Sequence, residues 1–258
     1  MKLEYSTQVK IRVVLAVILV IIGLHLWFLA GRTLFELFLL RLVSWFLQSV
    51  GTIGNHRWLT HNSFKPSKFG ARLMLACQVI NGMGTLLWYV ISHTEHHKHS
   101  DTEKDPQTPK RLTFWDMLWG RYSKIEHPVM PKHFLRNKEA VFINKHYWRF
   151  FFALNLTLAV IDLPTALLFC PVNFLLAWLG GTIVNFFGHN GHKGKENVYP
   201  INLSRWLWLI GISGEELHKN HHEHPSSYHF DGNGRKDPAR WIVEYILMEK
   251  RPEKLRAS

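Results

Sequence analysis

Long uncharged runs alternate along this chain with short stretches dense in charge. Residues 13–30 (VVLAVILVIIGLHLWFLA) contain no Asp, Glu, Lys or Arg. At about 1.5 Å per residue, a helix of that length nearly crosses a hydrocarbon core of about 30 Å. A cleaved leader is the alternative for a first apolar segment, but no small-residue cleavage pattern follows it and another apolar segment begins almost at once. The segment is therefore read as a retained transmembrane helix. The next one, residues 33–51, is separated from it only by Gly31-Arg32 and is expected to be its antiparallel partner. Its charges, Glu36 and Arg41, do not share a helical face; Glu36 is expected near the interface, and Arg41 facing protein or snorkelling. Residues 150–170 and 172–188, divided by Pro171, predict a second hairpin. The pattern thus predicts an all-α integral membrane protein with four transmembrane helices in two hairpins.

The apolar stretch 71–92 is interrupted by Gln78, Asn81, Gly82, Gly84 and Thr85. Charge placement settles how it is read. Of 31 lysines and arginines, only Arg32 and Arg41 fall outside residues 1–12, 52–72, 93–149 and 190–258. Cationic loops stay on the cytoplasmic side, and a spanning 71–92 would divide two of those regions. It is therefore expected to be interfacial or re-entrant, with both termini on the cytoplasmic side and residues 52–149 and 189–258 forming a cytosolic helical cap on one domain, 1–258. A mean hydropathy of −0.06 hides this segregation. The net charge of +12 then follows from topology and contact with anionic membrane lipid, and no nucleic-acid partner is invoked. Cys77 and Cys170, the only cysteines, lie in apolar stretches, which excludes a disulfide framework, zinc fingers and iron–sulfur clusters.

Seventeen histidines change the picture. Nine of them fall in HRWLTH (His56, His61), HTEHH (His93, His96, His97), NFFGH (His189) and HKNHH (His218, His221, His222), each at or just beyond the same predicted end of an apolar segment. On a helix, HxxHH projects three imidazoles toward one flank, and the adjacent pair can diverge onto two metals. The HxxxxH spacing suits two histidines addressing different ions, or a helix end. Asn185, one turn before His189, is a weak direct ligand and is assigned a water-mediated role. Nine imidazoles and a water would fill two sites of about five ligands, a dimetal centre held by the cap. Imidazole serves Fe, Zn, Cu and Ni, so ligand type leaves the metal open. A carboxylate-bridged helical bundle needs two Glu-x-x-His motifs, and only Glu215–His218 matches. Of the other histidines, His25 is expected as a hydrogen-bonded core residue, and His192 competes with His189 for the ligand position. Trp88 and Tyr89 are expected either as interface anchors or as walls of a substrate cavity.

A metal site at a membrane surface implies a lipid substrate, and two redox-active metals on neutral nitrogen ligands suit cleavage of O2 and attack on an unactivated C–H bond. From about residue 33 to 245 the sequence resembles the membrane-bound fatty acid desaturases, and among them the acyl-CoA Δ9 type. HRWLTH is similar to that family's first histidine box, HTEHHKHSDTEKDPQTP to its second, NFFGH to its Asn-x-x-x-His element and GEELHKNHH to its third. The resemblance implies two iron ions held by His56, His61, His93, His96, His97, His189, His218, His221 and His222, with a water on Asn185. It also implies an O2-dependent desaturation placing a cis double bond, at Δ9, in a saturated acyl chain. Glu95, Asp101, Asp105 and Glu215 are expected either to orient imidazole N–H groups or to be solvated loop charges, with Asp105-Pro106 shaping a turn. Thr94 stands where the family often has Arg. The sequence has no HPGG haem motif, so electrons are expected from a separate carrier, a cytochrome b5, a ferredoxin or a rubredoxin-like protein. The alternatives are a membrane hydroxylase or ketolase, whose first box is usually the shorter HxxxH, and a histidine-rich metal transporter, which would carry ionisable groups inside its spans.

Overall fold

A computed structural model describes residues 4–126, 128–211, 214–232 and 234–249. Ten α-helices order the described chain: α1 (Tyr5–Leu29), α2 (Leu34–Ile53), α3 (Lys68–Ile80), α4 (Leu86–His99), α5 (Phe114–Leu118), α6 (Lys132–Arg136), α7 (Lys138–Ile161), α8 (Leu163–Phe187), α9 (His218–Glu223) and α10 (Pro238–Ile242). π-Helical turns extend α2 over Gly54–Thr60 and α10 over Val243–Leu247. Among the described residues, β-structure is limited to two isolated bridges.

Beyond Arg12, α1 is apolar on every side, and its buried positions Val9, Ala16 and Gly23 recur every seven residues. That narrow stripe lies against α8, its main partner, while Ile18, Ile21 and Phe28 stay exposed. Such a helix, apolar all round and buried on one seam, is suited to lipid on its remaining faces. His25 is exposed on that outer side, contrary to the expected core position. α2 begins with a capping box in which the Thr33 hydroxyl accepts from the Glu36 N–H while the Glu36 carboxylate accepts from the Thr33 N–H. Arg41 faces protein, donating to Ser44 Oγ at 3.2 Å, Gln48 Oε1 at 3.4 Å and the Ile210 carbonyl at 3.3 Å.

Among the described residues, three helical stretches, Tyr5–Leu29, Leu34–Thr60 and Leu163–Phe187, are long and apolar enough to cross a membrane. α7 is long too, but its first half carries Lys138, Glu139, Lys145 and Arg149. The second hairpin also turns elsewhere than expected. Residues 150–170 and 172–188 are not its arms: α7 ends at Ile161, Asp162 is extended (φ −158°), and α8 runs through Pro171. Pro164 sits in the first turn of α8, where a missing N–H costs nothing. Pro171 removes one backbone bond in a buried stretch whose packing carries the helix onward. Asp162 is anchored by Arg32, whose two terminal nitrogens each donate to the carboxylate at 2.7 Å. This pair ties the α1–α2 turn to the α7–α8 turn, so the start of α1, the end of α2, the start of α7 and the end of α8 share the opposite end.

The stretch 71–92 is not one helix. α3 and α4 are separated by residues 81–85, where Gly82 and Gly84 have positive φ. Neither, at 13 and 14 residues, matches the roughly 20 needed to span. α3 packs on α2, and the main apolar core joins Val50 and Ile53 of α2 to Met74 of α3, Val90 of α4 and Val243 and Leu247 beyond α10. Both cysteines are buried and free.

Candidate metal centre

The first histidine box lies on the π-turn that ends α2. His61 N–H donates to the His56 carbonyl at 3.1 Å, a five-residue hydrogen bond that stacks positions five apart. His56 and His61 therefore face one site: of the two expectations drawn from α-helical geometry, different ions is corrected, while a helix end holds, His61 being the C-cap of the turn; π-turns of this kind occur often at functional sites. The second box rides on α4 and the third on α9, so in each the adjacent histidines diverge. Gly188, just before His189, has no Cβ to meet the His218 ring, which an added one would approach to 2.9 Å.

Two groups result. His56, His61, His93, His97 and His221 bring ring nitrogens within 4.8 Å of one another, as do His96, His189, His218 and His222. His96 and His97 go to different groups, as do His221 and His222. His189 is fully buried in the second group, whereas His192 is exposed and outside both. Asn185 lies half-buried on the wall of the adjoining cavity and beside the Tyr122 side chain.

Carboxylates orient three of these rings. Asp105 receives His96 Nδ1–H at 3.0 Å on both oxygens and also accepts from Gln107 N at 2.8 Å and Asp101 N at 3.2 Å. Asp101, in a left-handed conformation (φ 60°) that Asp tolerates, receives His189 Nδ1–H at 2.8 Å. Glu215 pairs with His56 Nδ1. Glu95, the fourth carboxylate expected to serve the cluster, is buried but turned away: its partners are His99 at 3.6 Å, Lys98 at 3.9 Å and the Val129 N–H at 3.4 Å. On α4, position 95 falls between the box histidines and faces the opposite flank.

Charge arithmetic shows that cations fit here. With Nδ1–H given to a carboxylate, the opposite Nε2 of His56, His96 and His189 carries a lone pair. Yet Nε2 meets Nε2 at 2.9 Å between His56 and His221, 2.7 Å between His221 and His97, and 2.8 Å between His189 and His218. One Nε2–H cannot serve two partners, so these contacts cannot all be hydrogen bonds. The buried Nε2 atoms of His61 and His96 have no hydrogen-bond partner. A cation at each focus satisfies such converging lone pairs. Burial, then the charge of neighbouring rings, pushes His61 down to about 2 and lowers His93, His97, His218, His221 and His222 as well. His189 is also lowered by burial, although Asp101 opposes it. The rings are thus held in the neutral form that binds metal. Burial would raise Asp105 and Glu215, but His96 in one case and His56 with Arg57 in the other leave both below the usual range.

Sequence reading missed Arg57. It is fully buried, pairs with Asp237, donates to Glu215 at 3.3 Å and lies 3.8 Å over the Phe230 ring. An arginine inside HRWLTH was visible, but nothing in spacing links it to Asp237. Gly214 (φ 85°) closes this arrangement, since a Cβ there would collide with both the Asp237 carboxylate and Arg57. Asn202 was missed too: its side-chain oxygen accepts from Lys219 N at 3.0 Å and Asn220 N at 3.3 Å, capping the helix of the third box.

A cavity adjoins the histidines, with His56, His93, His218 and Glu215 on its wall. Tyr89 lines it and stacks on His93, ring centroids 5.5 Å apart. Trp88 does not line it; it stacks on Tyr5 at 4.8 Å and so joins α4 to α1, which corrects its assignment as a cavity wall.

Comparison with known proteins supplies a lineage. A family model described as fatty acid desaturase matches residues 31–231. The chain is 26% identical over 188 residues to the sn-1 stearoyl-lipid 9-desaturase of Anabaena variabilis, covering 70% of this chain and 69% of the relative. It is 27% identical over 187 residues to the acyl-CoA C20 Delta5-desaturase of Anemone leveillei (66% and 57%) and 26% identical over 212 residues to the acyl-CoA Delta-12 desaturase of Tribolium castaneum (72% and 58%). The match thus spans less than two thirds of the length of two of these three relatives.

Proposed function

The chain belongs to the fatty acid desaturase family, and from that premise we propose that it is an oxidoreductase performing O2-dependent desaturation of a fatty acyl chain, with the cis double bond placed at Δ9. The observation that carries this is the pair of largely buried histidine groups, five and four, with members of both on the wall of a common cavity. His56, His61, His93, His97 and His221 would hold one iron, and His96, His189, His218 and His222, with a water on Asn185, the other. Bound there, two irons supply the one-electron chemistry that activates O2 and removes hydrogen from an unactivated C–H bond.

The chain's own residues have three tasks. Asp101, Asp105 and Glu215 take the Nδ1 protons of His189, His96 and His56, so that each Nε2 lone pair points inward. Arg57 pairs with both Glu215 and Asp237, and its charge, with the His56 contact, keeps Glu215 ionised in the core. Tyr89, stacked on His93, positions the acyl chain against the cluster and helps to exclude water.

We place α7, 24 residues long with its charges in the half nearer the metal centre, as a fourth membrane crossing in addition to α1, α2 and α8, with both termini and the metal centre on the cytoplasmic side and one domain across 1–258. The cation distribution supports this sidedness. Membrane lipid surrounds the long helices, and a separate carrier, cytochrome b5, ferredoxin or a rubredoxin-like protein, delivers electrons. The test is gas chromatography with mass spectrometry of fatty acids from iron-supplied cells expressing the chain or its His97→Ala variant together with each carrier. A new monounsaturated acid in the wild type alone is expected. An unchanged profile with every carrier, in protein that has bound two irons, refutes the reading.

A further inference from the structure

The cavity beside the histidines is unsealed on one side. α2 and α8 both run away from the Arg32–Asp162 pair and keep level with each other. Ser44, ten residues past Leu34, donates to Asn173 Oδ1, ten residues past Leu163, at 2.7 Å. Beyond that bond the cavity lies between the helices, with Gln48 and Thr52 on one bank and Leu176, Ala177, Gly180 and Gly181 on the other. Gly181 is the exposed residue of this wall, and a Cβ at its position would meet no atom within 4 Å. Across the gap, half-buried Thr52 gives its hydroxyl proton to the Gln48 carbonyl at 3.1 Å.

The height of this gap decides what can reach it. Thr52 follows Leu34, and Gly181 follows Leu163, by 18 residues, which is about 27 Å at 1.5 Å per residue. In a hydrocarbon core of about 30 Å that begins near the Arg32–Asp162 turns, the gap lies just beneath the cytoplasmic boundary. The ester groups and first methylenes of membrane lipid lie at that level. No lysine or arginine lines the cavity, whereas a coenzyme A thioester arrives from water with phosphates that proteins hold with cations. An acyl chain already in the bilayer needs no such hold, and its methylenes can pass Ala177, Gly180 and Gly181 without crossing water.

We propose that the acyl chain enters the cavity sideways from the bilayer through the gap at Gly181, and that the substrate is an acyl group esterified in a membrane lipid, not a coenzyme A thioester. This rests on the desaturase reading and names the carrier of its substrate.

The test is photocrosslinking to the purified full-length chain in lipid nanodiscs, which needs neither an electron donor nor turnover. One probe is a phosphatidylcholine with a diazirine in the middle of one acyl chain. The other is the same acyl group as its coenzyme A thioester, added to the water phase, and labelled residues are located by mass spectrometry. The lipid probe is expected to label Tyr89, which lines the cavity and stacks on His93, and the thioester is not. That label should be lost in Gly181→Trp and in the smaller Gly181→Leu, which fill the gap. In both variants the exposed Ile18 and Phe28 of α1 should label as in the wild type, with unfolding midpoints measured alongside to show folding. Labelling of Tyr89 by the thioester, alone or as strongly as by the lipid, overturns the proposal and leaves the desaturase reading intact. A lipid label on Tyr89 that survives both substitutions refutes it too. Labelling by neither probe overturns it as well, and the fatty acid profile described above then judges the desaturase reading separately.

Discussion

Replacing Asp105 by Asn should weaken metal binding at one group of histidines and spare the other. Asp105 is fully buried, holds His96 Nδ1–H at 3.0 Å on both oxygens, and accepts from two backbone N–H groups. A hydrogen bond to a charged group contributes about 1.5–3 kcal/mol, against about 0.5–1.5 kcal/mol for a neutral one. Asn keeps the shape and one acceptor but loses the charge, so the deficit is about 1–2 kcal/mol, or about 5- to 30-fold in affinity. That overlaps the lower part of the range of about 10- to 100-fold usual for residues supporting a metal-bound histidine. His96 belongs to the group with His189, His218 and His222, so that metal should leave first. Metal per chain is counted by elemental mass spectrometry across a chelator series. Asp105→Asn should release one metal about tenfold earlier than wild type and the other at the wild-type concentration. Glu215→Gln, acting through His56, should shift the complementary step. A single step at the wild-type midpoint in both variants would refute the reasoning, as would identical release curves for the two.

Arg57→Met should cost about 3–5 kcal/mol in chemical unfolding, because it strands two buried carboxylates; adding Asp237→Asn should recover part of that loss. Arg32→Met removes a pair whose side chains are 30% and 25% exposed and should cost about 1 kcal/mol or less in the same assay. In metal-free protein, seven histidines have folded-state values below the ordinary 6.5. Above that value they are neutral in both states and contribute nothing. Below it only the unfolded chain gains protons, so stability should fall with pH by up to about 1.4 kcal/mol per unit for each. An unfolding midpoint unchanged between pH 7 and 5 would contradict this. Zinc-loaded protein should fold as the iron form does and produce no unsaturated acid, since zinc has no redox chemistry.

Hydropathy and charge determined the long apolar helices, the broken character of residues 71–92 and the clustering of nine histidines. These are local properties, written in runs and spacings that physics reads one segment at a time. Hydropathy did not locate the second turn: Pro171 looks like a breaker, but its cost is absorbed by packing, and Asp162 becomes the turn because Arg32, 130 residues away, anchors it. Nor could spacing assign the first box, since HRWLTH reads differently on α- and π-helical turns. Only the tertiary structure decided how the histidines divide into five and four, which three of four carboxylates serve them, and that Arg57 and Asp237 underlie Glu215. Those choices join α2, α4, α8, α9 and the connections between them, and a partnership across such distances leaves no periodic trace in the chain.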